Sequence, residues 1–126
     1  MNDRDAGSAS LWALSLAMVL WVCVAGVVLA GVAVVARHRA ATAADMSALA
    51  AASVIANSAG VGDAGIGSKG CAAANGIAQA NNATVTSCQV IGEVVDVTTT
   101  VRIPALSWLG GLGLDAVSVR ARAGPG

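Results

Sequence analysis

Residues 11–36 read LWALSLAMVLWVCVAGVVLAGVAVVA, twenty-six residues without a charge. As an α-helix rising 1.5 Å per residue, the run would extend ~39 Å, more than the ~30 Å of a hydrocarbon layer. It predicts a membrane-spanning helix around which the rest of the chain is arranged. The run outlasts the apolar core of a secretory signal, and the preceding Asn2, Asp3, Arg4 and Asp5 lack a signal's basic character. An uncleaved anchor is expected. The alternative is signal-peptidase cleavage at Val34, Val35 and Ala36, where small residues close the run. Trp12 suits an interfacial anchor, whereas Trp21 lies mid-span and serves equally as a packing residue. Gly26 and Gly31 are five apart and do not form the GxxxG contact.

With so much of 126 residues committed to this helix, the remainder suffices for one small domain with a thin core. Hydrophobic residues make up 56 %, but Ala, Val and Gly dominate, and Phe and Tyr are missing, so large core-filling side chains are scarce. A domain of this kind needs a staple. Seven basic and seven acidic residues cancel, and no basic cluster exceeds Arg37 and Arg39, which argues against nucleic acid as a partner.

Cys23 lies inside the apolar run and behaves there as a small hydrophobe. Cys71 and Cys88 are seventeen apart. A disulfide between them, expected over two free thiols, would contribute about 3 kcal/mol by closing the intervening loop. Zinc is disfavoured because CxxC spacing is lacking and His38 is the sole histidine. A bond would place the residues after the apolar run in an oxidising compartment. The count of basic residues flanking the run, Arg4 before it and Arg37 and Arg39 after it, points the other way by one charge. The cysteines are the weightier signal.

Residues 1–10 form a short, flexible leader, with Asp5 and Ser8 as candidate helix caps. Residues 37–59 are alanine-rich, without Pro before Gly60, and predict an unbroken continuation of the helix to ~72 Å in all. Met46, Leu49, Ala50, Ala52, Ile55 and Ala56 are the expected covered stripe. His38, between two arginines, reads as a solvated interfacial residue. Gly60 would cap the helix, and residues 60–70 form a Gly-rich linker that fits neither phosphate-loop pattern. A second helix is predicted from Cys71 to Asn81, capped by Ser68, with Cys71, Ala74, Ile77 and Ala78 on one face.

From Thr84 the period changes to two. Residues 85–91 and 94–103 predict strands joined at Gly92 and Glu93, and residues 116–123 a third. Val95, Val97, Thr99, Val101 and Ile103 alternate with Asp96, Thr98, Thr100 and Arg102, so one face should be wet. Between the second and third strands, Leu106, Trp108, Leu109 and Leu112 either fold over the sheet or form an exposed patch for a partner or a membrane surface. The predicted class is α+β: a long N-terminal helix, membrane-embedded in its first half, packed with a short second helix on a three-stranded antiparallel sheet in residues 71–126.

This order of parts resembles type IV pilins and pseudopilins. More narrowly the chain resembles the TadE-like minor pilins of the tight-adherence (Flp pilus) system, in particular small actinobacterial ones encoded near helicase and secretion genes. The segments that carry the resemblance are Gly7-Ser8-Ala9-Ser10, Arg37-His38-Arg39-Ala40, the run from Ala43 to Ala52, the stretch from Cys71 through Ile77-Ala78-Gln79-Ala80-Asn81 to Cys88, and Arg120-Ala121-Arg122-Ala123. The resemblance implies a leader cut by a prepilin peptidase between Gly7 and Ser8. Pilins carry a glutamate at the fifth mature position, where this chain has Trp12. Without that carboxylate the charge-assisted contact that registers subunits is missing, which suits a subunit at a pilus base or tip, or an uncut accessory protein, better than a major pilin.

The expected function is that of a non-enzymatic, single-pass membrane protein with an extracytoplasmic C-terminal domain. Its expected partners are the membrane, other pilin or TadE-like subunits, and pilus or secretion machinery. Asp45, Asp63, Glu93, Asp96 and Asp115 are scattered and no nucleophile has a predicted base, so neither catalysis, a cofactor nor a small-molecule substrate is expected. The alternative function is an exported protein, released by signal-peptide cleavage, that acts as an adhesin or effector.

Overall fold

The computed structural model describes residues 4–58 and 65–125. In chain order it comprises helix α1 (Arg4–Ser58), helix α2 (Ile66–Ala80), strands β1 (Thr84–Ile91) and β2 (Val94–Arg102), a 3-10 segment (Pro104–Leu112) and strand β3 (Ala116–Ala123). The class is α+β, as expected. Two compact units divide the chain, Met1–Ala33 and Val34–Gly126. In the first, α1 already begins at Arg4, so Asp5 and Ser8 lie within the helix and are not its caps. Ala6 and Ala9, with no Pro nearby, favour that extension, and Asp5 suits the positive end of the helix dipole. The large apolar side chains of this unit, from Leu11 to Leu29, are exposed.

In the second unit, α1 covers a sheet of order β1-β2-β3. The buried face of the helix is Ala36, Ala40, Ala43, Ala44, Ser47, Ala48, Ala51 and Ile55, one stripe at helical spacing. This corrects the expected stripe. Met46 and Leu49 stay 54 % and 63 % exposed, and only Ile55 of the six residues is fully covered. Size explains the choice of face. Methyl side chains let the helix backbone approach the sheet, whose Val95, Val97, Val101 and Thr99 supply the bulk. At that short range Thr99 Oγ1 on β2 donates a buried hydrogen bond to the Ala40 carbonyl, 3.0 Å away.

The Ser47 hydroxyl is buried in this seam without a hydrogen-bond partner among the described residues. An unsatisfied hydroxyl costs about 1–3 kcal/mol, and alanine keeps the shape while favouring the helix. Ser47→Ala is expected to stabilise the unit by about 1 kcal/mol, read as a rise in its urea midpoint with unchanged slope.

Helix α2 starts at Ile66, five residues before the expected Cys71, and so takes up half of the expected linker. Its cap residue is Gly65, and Ser68 makes no cap. The Ser68 hydroxyl lies in the first turn and donates to the Gly65 carbonyl at 2.7 Å. The expected cap at Gly60 lies outside the described residues. At the other end, Asn82 N–H donates to the Gln79 carbonyl and Ala83 N–H to that of Ala78, while Asn82 takes the left-handed conformation at φ 55°. That is a Schellman ending, with Ala78 and Ala83 as its buried apolar pair. Gly70, Ala74 and Ala78 face inward, whereas Ile77 remains partly exposed. At Gly70 a Cβ would come within 3.3 Å of the Ala51 carbonyl oxygen, so glycine permits α2 to approach α1 there.

The sheet is antiparallel throughout, with Cys88 opposite Val97 and Ala121 opposite Val97 on the other side. Gly92, at φ 63°, opens the two-residue turn between β1 and β2 as a type II′ turn requires. In β2 the alternation holds except at Asp96, which is buried on the face expected to be wet. Val95, Val97, Thr99 and Val101 are buried, as is Ile103 just beyond the strand.

Candidate functional site

The structure presents surfaces, and among the described residues no group of three His, Cys, Asp or Glu is placed to hold a metal. One helix, within Ala9–Ser58, is long and apolar enough to cross a membrane. Gly7 and Ser8 lie within α1, and their side chains are outside the described residues. Cys71 on α2 and Cys88 on β1 form a disulfide across a Cα separation of 5.9 Å, while Cys23 is free and exposed. The bond clamps α2 to an edge strand.

Of the apolar residues in the connection, Leu106 turns inward and is 8 % exposed, so it joins the core and offers no patch. Trp108, two residues on, is 75 % exposed. The side chains of Leu109 and Leu112 lie outside the described residues. The inward and outward alternatives are thus both realised within one short 3-10 segment. At three residues per turn, residues two apart point about 120° from each other, so one can face the core while the other faces outward.

Two features were missed at the level of sequence. The first is a recess lined by His38 and Arg39 of α1, Asn81 and Asn82 after α2, and Arg102 and Pro104 after β2. Its cations lie more than sixty positions apart, so only the antiparallel run of β2 along α1 brings them together. The second is Asp96. It sits on the wet face directly opposite Arg122 and beside Arg120, and both arginines donate to its carboxylate, Arg122 Nη2 from 3.0 Å. Its side chain is only 6 % exposed. The alternating pattern placed it on the correct face, but cross-strand register decides its partners.

The Arg120 hydrogen bonds, aided by those from Arg122 and opposed by burial, pull the Asp96 carboxyl down from 3.8 to about 2. A carboxylate with a depressed pKa stabilises fully above its unfolded value and ceases to do so as pH falls through its folded one. The sheet is therefore expected to keep this contribution down to about pH 4 and lose it between there and about pH 2. Asp96→Asn should remove that acid-dependent step, as followed by amide exchange of β2 across this pH range.

A further groove runs along α1 beside the end of β3, lined by Leu49, Ala52, Ile55 and Ala56 with Gly124 and Pro125. With Met46 and Leu49 on its flank, α1 has one face spent on the sheet and another apolar face open.

Compared with known proteins, residues 7–54 match the family described as Flp pilus-assembly TadE/G-like. No curated protein and no solved structure matches the chain. The matched stretch holds the apolar run and most of the alanine seam, and over it the chain is similar to that family.

Proposed function

We propose that this protein is a membrane-anchored, non-enzymatic minor pilin or pseudopilin. In this reading α1 is rooted in the membrane as a single span, and the α+β unit lies outside the cytoplasm and meets pilus or secretion machinery. The observation that carries the reading is the TadE/G-like match at residues 7–54, on a helix whose large apolar side chains from Leu11 to Leu29 remain uncovered. Uncovered apolar surface on this scale calls for lipid or neighbouring helices. The open flank at Met46 and Leu49 extends that surface beyond the apolar run and suits contact with helices of other subunits. The disulfide supports an oxidising location for the α+β unit. The Gly7–Ser8 bond remains the proposed site of leader cleavage, and the family match begins at Gly7.

Co-expression with a prepilin peptidase and a C-terminal tag tests this. The expected product fractionates with membranes, and its tag is reached by protease added from outside. A product that stays soluble, or a tag that remains cytoplasmic, overturns the proposal. Mass spectrometry of the mature N-terminus separates an intact Met1, a new Ser8 and a new Arg37, the last of which would mark a released exported protein instead.

A further inference from the structure

We propose that one end of the α+β unit, carrying Arg39, Arg102 and Trp108, is a docking surface for anionic phospholipid. The proposal rests on the anchoring read above. Arg39 lies three residues beyond Ala36, the last residue of the apolar run, so chain connectivity holds it within ~5 Å of the run's end along the helix. Arg102 lies far away in sequence but lines the same recess, because β2 returns antiparallel to α1 and ends there. The 3-10 segment departs from the rim of that recess at Pro104. Trp108, four residues along it, is ~8 Å further at 2.0 Å per residue and largely exposed.

Charge complementarity selects the occupant. Arg39 and Arg102 line the recess, Arg37 lies two residues before Arg39 on α1, and Asp115, whose carbonyl accepts from the Ile103 N–H, is the acidic residue of the connection, three positive groups to one negative. Among the described residues none of these arginines has a carboxylate partner, whereas Arg120 and Arg122 are both engaged by Asp96. Unpaired arginines beside a lipid-rooted helix meet phosphate groups, and a largely exposed indole ring suits the headgroup layer between hydrocarbon and water. Trp108 is thereby assigned to the lipid boundary, and the recess to lipid phosphate.

The test uses the full chain with Trp12→Phe and Trp21→Phe, so that Trp108 is the only indole. It is reconstituted into vesicles of phosphatidylcholine alone or mixed with phosphatidylglycerol. Identical leaflets make the result independent of orientation. Acrylamide quenching of Trp108 is expected to fall in the anionic vesicles and to recover in high salt. Each of Arg39→Gln and Arg102→Gln should reduce the ratio of docked to undocked protein about fivefold, while Arg102→Lys retains protection. Equal quenching in both lipids overturns the proposal, as does equal protection in phosphatidylcholine by inorganic phosphate alone. Flotation with the vesicles is scored separately. A chain that floats with both lipids but shows no dependence on lipid charge defeats only the docking, and a chain that floats with neither defeats the anchoring as well.

Discussion

Replacing Cys71 and Cys88 together by alanine is expected to destabilise the α+β unit by about 3 kcal/mol, the value for a cross-link that closes a loop of this size. A core of Ala and Val, with no Phe or Tyr, has little to offset that loss. Amide exchange of Val95 and Val97, both fully buried on the central strand, is the appropriate measure because it reports opening of the whole sheet. Protection there should fall by roughly a hundredfold, at tenfold per 1.4 kcal/mol. Reductant should act on the unmodified protein in the same direction. Loss of protection confined to α2 would show that the bond clamps one helix without supporting the sheet.

Ala48→Leu is the second large effect. Ala48 is buried in the seam with Val95, Val97 and Ala121, and the added carbons have no space unless α1 lifts from the sheet. Overpacking of this kind costs typically 1–3 kcal/mol. Lifting the helix would also stretch the hydrogen bond from Thr99 to the Ala40 carbonyl. The neighbouring Leu49→Ala removes a larger side chain yet should leave stability within about 0.5 kcal/mol, since Leu49 faces outward. Urea midpoints of the two variants provide the contrast. If Ala48→Leu is tolerated as well as Leu49→Ala, the alanine face is not the one against the sheet.

The two substitutions show where sequence reasoning succeeded and where it failed. The strands were legible because β-branched residues recur at every second position from Val95 to Ile103, and because Gly92 supplies the positive φ that the turn needs. The covered face of α1 was misassigned because hydrophobic size favoured Met46 and Leu49. Contact geometry favoured the methyl groups of Ala40, Ala44, Ala48 and Ala51, whose spacing was present in the sequence as a weaker signal. The early start of α2 was hidden by its glycines, which carry low helix propensity; packing of Gly70 against Ala51 and Ile55 favours helix there all the same.

By itself, the sequence determined the elements and their class. A charge-free run, an alanine continuation and three alternating strands are encoded in local periodicity, which needs no knowledge of what each segment touches. Only the tertiary structure decided the placements: Arg39 with Arg102 around one recess, Asp96 beneath two arginines, Cys71 within bonding reach of Cys88, and the choice of alanines as the buried face. Those depend on register and on the distance between helix and sheet, which are set by the summed fit of many side chains and are not written in any single stretch of chain.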